Sequence, residues 1–243
     1  MKKKDKEIKA EISEIFESVQ GEGILIGARQ LFIRFARCNL RCWYCDTKDL
    51  LNREKCIDWI NSRELENPVG VEYVSEIVGS RVMKVHSIAL TGGEPLLFAD
   101  FIKTMRKVMN ELSVSKPLYL ESNMSLPEEA KKIKFVDIVS GDLKIRESGN
   151  ANYDEIIDNT IKCFRILKNT RKRLTFCKIV LPDRFDADEI VSVAETIKDC
   201  VYCFVLQPVF GAKLDTILSL QKAMVEIGDT RLIPQLHKYL GVR

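Results

Sequence analysis

The sequence predicts an α/β fold in which parallel strands curl into a partial (β/α)6 barrel, with the functional site at the C-terminal ends of the strands. Three observations predict it. Short apolar runs, several of them continuous, alternate with amphipathic helical stretches, the pattern of strands buried on both faces and covered by helices. Polar, often glycine-bearing motifs follow the end of each run, and in a barrel that edge carries the chemistry. The 243 residues suit one sizeable domain, 1–243, with no linker or repeat dividing it.

The expected strands, in order, cover 31–35, 87–90, 118–120, 135–139, 175–181 and 201–206. RFARCNLRC follows the first, TGGEP the second, ESN the third and SGDLK the fourth, with LPD and QP after the last two. The clearest helices lie between them, over 96–112, 154–168, 187–198 and 214–227. In the second helix Ile157, Ile161 and Phe164 follow helical spacing and mark its expected buried stripe. The stretch 48–85, after the cysteine-bearing loop, reads as a variable insertion of unassigned role.

Composition narrows the partners. Apolar residues make up 46% and charged residues 30%, as in an ordinary globular domain with a real core. The net charge of +3 does not argue for nucleic acid or a membrane surface. No apolar run approaches the roughly 20 residues that span a bilayer. The charged start, MKKKDKEIKAEISE, has no secretory h-region and is expected to be solvated, so the expected location is cytoplasmic. Eight cysteines in such a chain point to metal or catalysis more than to disulfides.

Cys38, Cys42 and Cys45 are spaced C-x3-C-x2-C. Thiolates are soft ligands that suit iron–sulfur clusters and zinc. Three cysteines on a [4Fe–4S] cube leave one iron open for another ligand. Zinc would need a fourth donor from His86, His237 or a distant cysteine. The other cysteines read as packing residues, and Cys200 and Cys203, though spaced C-x2-C, begin an apolar strand on opposite faces.

With Thr91-Gly92-Gly93-Glu94-Pro95 after the second strand, the triplet resembles the radical S-adenosylmethionine (SAM) superfamily. The resemblance implies that SAM chelates the open iron through its amino and carboxylate groups. One electron from the cluster then cleaves SAM, and the resulting 5′-deoxyadenosyl radical abstracts a substrate hydrogen. A second set of motifs narrows this. It comprises the segment EIFESVQGEG at 14–23, Phe32-Ile33-Arg34, Asp46-Thr47 and Pro234-Gln235-Leu236-His237. Together they are similar to the 7-carboxy-7-deazaguanine synthase family, a group of radical SAM lyases, over about 14–243.

That resemblance implies conversion of 6-carboxy-5,6,7,8-tetrahydropterin to 7-carboxy-7-deazaguanine by ring contraction with loss of ammonia. Magnesium assists, SAM is regenerated, and the product feeds queuosine or archaeosine in transfer RNA. It implies a small-molecule pterin substrate, a flavodoxin- or ferredoxin-type electron donor and a homodimer. By the family pattern, Thr47 holds magnesium. Tyr44, Cys45, Asp46, Gly93, Ser122, Ser140, Asp142, Lys144, Leu206, Gln207, Pro208 and Val209 contact SAM. Val19, Gln20, Gly21, Glu22, Arg34, Thr91 and His237 contact substrate, drawing on an N-terminal segment at 14–30 and a C-terminal one at 232–243. The chain departs from the pattern at Arg37, where glycine is usual, at Arg29, where proline is frequent, and in the length of SGDLK. A glycyl-radical activating enzyme and a zinc-stabilised binding module are the other readings.

Overall fold

The computed structural model describes residues 7–242; the lysine-rich start at 1–6, expected to be solvated, and Arg243 lie outside the described residues. The strands are β1 (Lys9–Ala10), β2 (Ile12–Val19), β3 (Arg29–Phe35), β4 (Lys55–Asp58), β5 (Arg63–Glu66), β6 (Val69–Gly70), β7 (Ser87–Gly92), β8 (Leu118–Ser122), β9 (Ile138–Asp142), β10 (Leu174–Leu181), β11 (Phe204–Pro208) and β12 (Thr230–Leu232). The helices are α1 (Val71–Arg81), α2 (Ala99–Glu111), α3 (Pro127–Lys132), α4 (Tyr153–Ile166), α5 (Ala187–Ile197), α6 (Asp215–Met224) and α7 (Leu236–Leu240).

Among the described residues, ten strands form one open sheet in the order β12-β11-β10-β9-β8-β7-β3-β2-β4-β5. Neighbours from β3 to β12 all pair parallel, so the six expected strands form the expected parallel wall and β12 extends it. The other edge differs from expectation. β2 pairs antiparallel to β3, and β4 and β5 continue outward from it. The insertion 48–85 thus supplies two sheet strands and α1, the helix of the crossover from β3 to β7.

Several bounds shift for identifiable reasons. β9 begins at Ile138 and runs on through Ser140, Gly141 and Asp142, which were expected to be loop. Glycine permits this: a Cβ on Gly141 would lie 2.8 Å from the Phe164 ring. β11 starts at Phe204, because a 3-10 turn at Lys198–Cys200 delays the strand. Cys200 and Cys203 therefore precede the strand, and they pack into different apolar clusters. On α4 the buried face is Ile156, Thr160, Cys163 and Phe164, with Ile157 and Ile161 only partly buried at its margin.

The pleat sorts side chains onto two faces. Outward residues join the main core beneath the helices. Inward residues form a smaller floor of Phe16, Phe32, Ala89, Tyr119, Ile138, Phe176, Cys203 and Val205. Phe16 and Phe32 stack there at 4.9 Å. Ile24 and Leu25, from the turn Gly23–Leu25, pack against this floor. Two residues further along each parallel strand the inner face turns polar, at Arg34, Thr91, Glu121, Ser140, Lys178 and Gln207. On antiparallel β2 the equivalent step runs backwards, from Phe16 to Glu14, which sits opposite Arg34. A polar layer therefore lies on an apolar plug, at the C-terminal ends of the parallel strands. Among the described residues, no helix is long and apolar enough to cross a membrane.

Candidate active site

A cavity of about 760 Å³ opens above the polar layer. It is lined by the three loop cysteines and by Tyr44, Asp46, Thr47, Gly93, Ser122, Asp142, Lys144, Gln207 and Val209. Val19, Gln20, Gly21, Glu22, Arg34, Thr91 and His237 line it as well. Residues spread over most of the chain thus meet at one place.

Three of the expected contact residues, Ser140, Leu206 and Pro208, do not line the cavity. Strand parity explains it. Gln207 and Val209 take the inner face at the end of β11, so Leu206 turns outward into the main core. Pro208 shares its outward parity. Ser140 has the right face but lies one pleat below Asp142 and is 1% exposed.

The cysteine loop leaves β3 and is fastened to the turn after β7. Gly93 N–H donates to Phe35 O at 2.9 Å, and Glu94 N–H to Arg37 O at 2.6 Å. Leu40 N–H reaches Cys38 Sγ at 3.4 Å, and Thr47 Oγ1 is 3.4 Å from Cys45 Sγ. Thr47 precedes the 3-10 turn Lys48–Leu50 but makes no side-chain cap bond to it. Burial pushes the Cys38 thiol up to about 11. Among the described residues, no three His, Cys, Asp or Glu side chains are grouped to hold one metal ion.

Glu94 is fully buried behind this loop. It accepts from Leu96 N at 2.9 Å, Asn123 N at 2.7 Å and Ser122 Oγ at 2.8 Å. Burial lifts its pKa to about 7 even though these bonds favour the charged form. Glu94 therefore ties the ends of β7 and β8 together, and Asn123 passes the link to Asn39 on the cysteine loop at 3.0 Å.

The opposite wall is a chain of alternating charges. Lys178 Nζ lies 2.5 Å from Glu22 Oε2 and 3.4 Å from Asp142 Oδ1, and Lys144 Nζ lies 2.6 Å from Asp142 Oδ2. Burial opposes the Lys178 charge, but Asp142, Glu22 and Glu121 overcome it and hold its pKa well above the usual lysine range. Burial would raise Glu22, yet Lys178 and Gln235 bring it down to about 2. Glu121 belongs to the ESN motif expected after the third strand, whereas Lys178 stands in no motif, although each sits two residues beyond an apolar floor residue, Tyr119 and Phe176. That parity was the available signal.

Gln20 was expected to meet substrate directly. Its amide N–H groups are instead taken by Gln30 Oε1 at 2.8 Å and Glu121 Oε1 at 2.9 Å, and its oxygen accepts from Glu22 N at 2.9 Å. Gln20 holds the two acids in place. His237, expected to contact substrate, has its Nε2 3.3 Å from Asp46 Oδ2, and Lys238 Nζ lies 3.1 Å from the same oxygen. Against the effect of burial, the hydrogen bond to His237 and the charge of Lys238 draw the Asp46 carboxyl below its usual range. α7 is thereby pinned to the cysteine loop. It also docks on the QGEG turn, where Leu236 N–H meets Gly21 O at 2.8 Å. A Cβ on Gly21 would fall 2.5 Å from His237 Nδ1, so only glycine fits there.

Arg34 faces the cavity from β3, with its Nε 3.3 Å from Glu14 Oε2 and its guanidinium 5.3 Å above the Phe16 ring. Gln207 supplies a test of whether the site is built for a ligand. It is 1% exposed, lines the cavity, and neither polar atom of its amide has a hydrogen-bond partner. Buried amides are rarely left without a partner, so this one has both a donor and an acceptor to offer to what enters the cavity. The donor set, three thiols beside a glycine turn and an unpartnered amide, fits a cluster with SAM.

Comparisons with known proteins agree with this geometry. The radical SAM superfamily model matches residues 32–197. The 7-carboxy-7-deazaguanine synthase of Archaeoglobus fulgidus is 57% identical over 236 residues, covering 97% of this chain and 100% of that protein. The enzyme of the same name from Methanothermobacter thermautotrophicus is 35% identical over 97% of this chain and 99% of its own length. In fold, the crystal structure of QueE from Escherichia coli superposes with a TM-score of 0.60 at 18% identity, covering 94% of this chain and 95% of that one. The chain belongs to the radical SAM superfamily and, within it, to the 7-carboxy-7-deazaguanine synthase family.

Proposed function

We propose that this protein converts 6-carboxy-5,6,7,8-tetrahydropterin to 7-carboxy-7-deazaguanine, with loss of ammonia. The observation that carries the reading is the meeting, in one cavity, of the three-cysteine loop with the QGEG turn and Arg34. Cys38, Cys42 and Cys45 would hold the [4Fe–4S] cluster. Gly93, Tyr44, Asp142, Lys144 and Gln207 would contact SAM. When bound, cluster and SAM supply one-electron radical chemistry.

The chain's own groups bind and orient the pterin. Arg34 suits its carboxylate, as a guanidinium matches two oxygens at once. Glu22 keeps lone pairs on both oxygens beyond those given to Lys178 and Gln235, and can take N–H groups of the pterin edge. The apolar floor backs the polar layer from below. Thr47 presents a hard oxygen beside Cys45, which suits magnesium. A homodimer, an external flavodoxin- or ferredoxin-type reductant and a product destined for queuosine or archaeosine in transfer RNA complete the proposal. Eight free cysteines fit a reducing compartment such as the cytoplasm.

The test is an anaerobic assay of reconstituted protein with dithionite, SAM, magnesium and the carboxylated pterin, read by mass spectrometry. The expected result is 7-carboxy-7-deazaguanine with SAM largely conserved. SAM cleavage without that product would reject the substrate. Arg34→Ala is expected to raise KM for the pterin by roughly tenfold or more while substrate-free SAM cleavage persists. Normal pterin turnover in that variant would remove Arg34 from the carboxylate site.

A further inference from the structure

A loop outside the recognised motifs closes on the cysteine loop. After β9 the chain makes a 3-10 turn at Arg146–Ser148, and Gly149 follows in the left-handed region at φ 79. The loop grips the middle cysteine from both sides. Trp43 N–H donates to Ser148 O at 3.2 Å, and Trp43 Nε1–H to Glu147 O at 2.7 Å. Arg41 N–H donates to Asn150 Oδ1 at 2.8 Å.

The last bond sets the orientation of the Asn150 amide. With its oxygen held by Arg41, its nitrogen turns inward, 3.1 Å from Cys42 Sγ and 2.9 Å from Ser148 Oγ. Each of the three loop sulfurs thus has a polar neighbour. Cys38 has Leu40 N–H and Cys45 has the Thr47 hydroxyl, but for Cys42 the neighbour comes from 108 residues away.

We propose that Asn150 is a positioning residue that donates an N–H···S hydrogen bond to the Cys42 thiolate and thereby raises the reduction potential of the cluster. The inference rests on the cluster assignment above. A reduced cluster carries one more negative charge, part of it on the cysteine sulfurs. A donor aimed at a sulfur stabilises that state more than the oxidised one. The amide makes the cluster easier to reduce.

The experiment is an anaerobic redox titration of reconstituted holoprotein, followed by electron paramagnetic resonance, for wild type, Asn150→Ala and Asn150→Asp. Asn150→Asp keeps an acceptor for Arg41 N–H but cannot donate to sulfur when ionised. Both variants are expected to retain iron and to show a lower midpoint potential. The oxidised-to-reduced ratio at a fixed potential should rise about tenfold, or about 59 mV for a one-electron couple. The exchangeable-proton hyperfine coupling that the Asn150 amide adds to those of Leu40 N–H and the Thr47 hydroxyl, seen in wild type and erased in D2O, should be missing from both. An unchanged potential in either iron-loaded variant, persistence of that coupling, or loss of iron from both would overturn the proposal. If the wild type itself took up no iron–sulfur cluster, the family-based reading would fail instead.

Discussion

Replacing Gly93 with alanine is expected to strip iron from the protein while leaving most of its secondary structure. A Cβ at this position would sit 1.9 Å from Arg37 O and 2.4 Å from Arg37 C. Both are backbone atoms, so no side chain can rotate aside. The turn and the cysteine loop would have to separate, breaking the bonds from Gly93 N to Phe35 O and from Glu94 N to Arg37 O. Cys38 is the next residue, so the first sulfur moves with the break. Outer contacts of a metal site are typically worth tenfold to a hundredfold in metal affinity, and we expect a loss of roughly that size in iron retention. Iron and sulfide per chain after anaerobic reconstitution measure it directly. Wild-type iron content in Gly93→Ala would show that the loop has slack the packing denies.

Lys178→Met is the second large effect. It removes a buried cation lying between Glu22 and Asp142 and close enough to Glu121 to bias it. Breaking one side of a buried pair typically destabilises by about 3–5 kcal/mol, because the remaining charge has no compensation. In the wild type Glu22 falls from the ordinary 4.5 to about 2. That drop contributes about 3 kcal/mol, fully present above pH 4.5 and lost as pH falls through about 2. Without Lys178 the burial of Glu22 acts with much less opposition, and its pKa moves up. The stability gap between wild type and variant should be widest at neutral pH and narrow as Glu22 protonates in acid. Thermal melts at pH 7 and pH 5 read this, with a shift of roughly 10 °C expected at the higher value. A gap that is the same at both values would mean that Lys178 serves packing alone.

Much of this site could be read from residue order, and the remainder divides along physical lines. The cysteine triplet, GGEP and QGEG are local, because backbone turns and short loops need particular residues at particular spacings. The parallel strands were legible because burial on both faces leaves long apolar runs. β2 was not, because ISEIFESV mixes charges into an edge region where Glu14 and Glu17 find partners across the sheet. Lys178 lay hidden inside TFCKIVL, an expected strand whose single charge looks like an interruption until the pleat assigns it to the inner face. Ser140 and Leu206 show the reverse case. They stand in motif-bearing stretches, but depth in one case and parity in the other take them off the cavity wall. Asn150 belongs to no motif at all. Its role depends on a loop folding back across 108 residues, a long-range contact that spacing along the chain does not encode.

The alternating charges of the cavity wall also bear on how a ligand is taken up. Glu14 answers Arg34, Glu22 and Asp142 answer Lys178, and Asp142 also answers Lys144, so little unbalanced field leaks into solvent. A small charged ligand is not drawn in from a distance by such a wall. It trades places with partners already present, and its capture becomes a short-range exchange that added salt disturbs little.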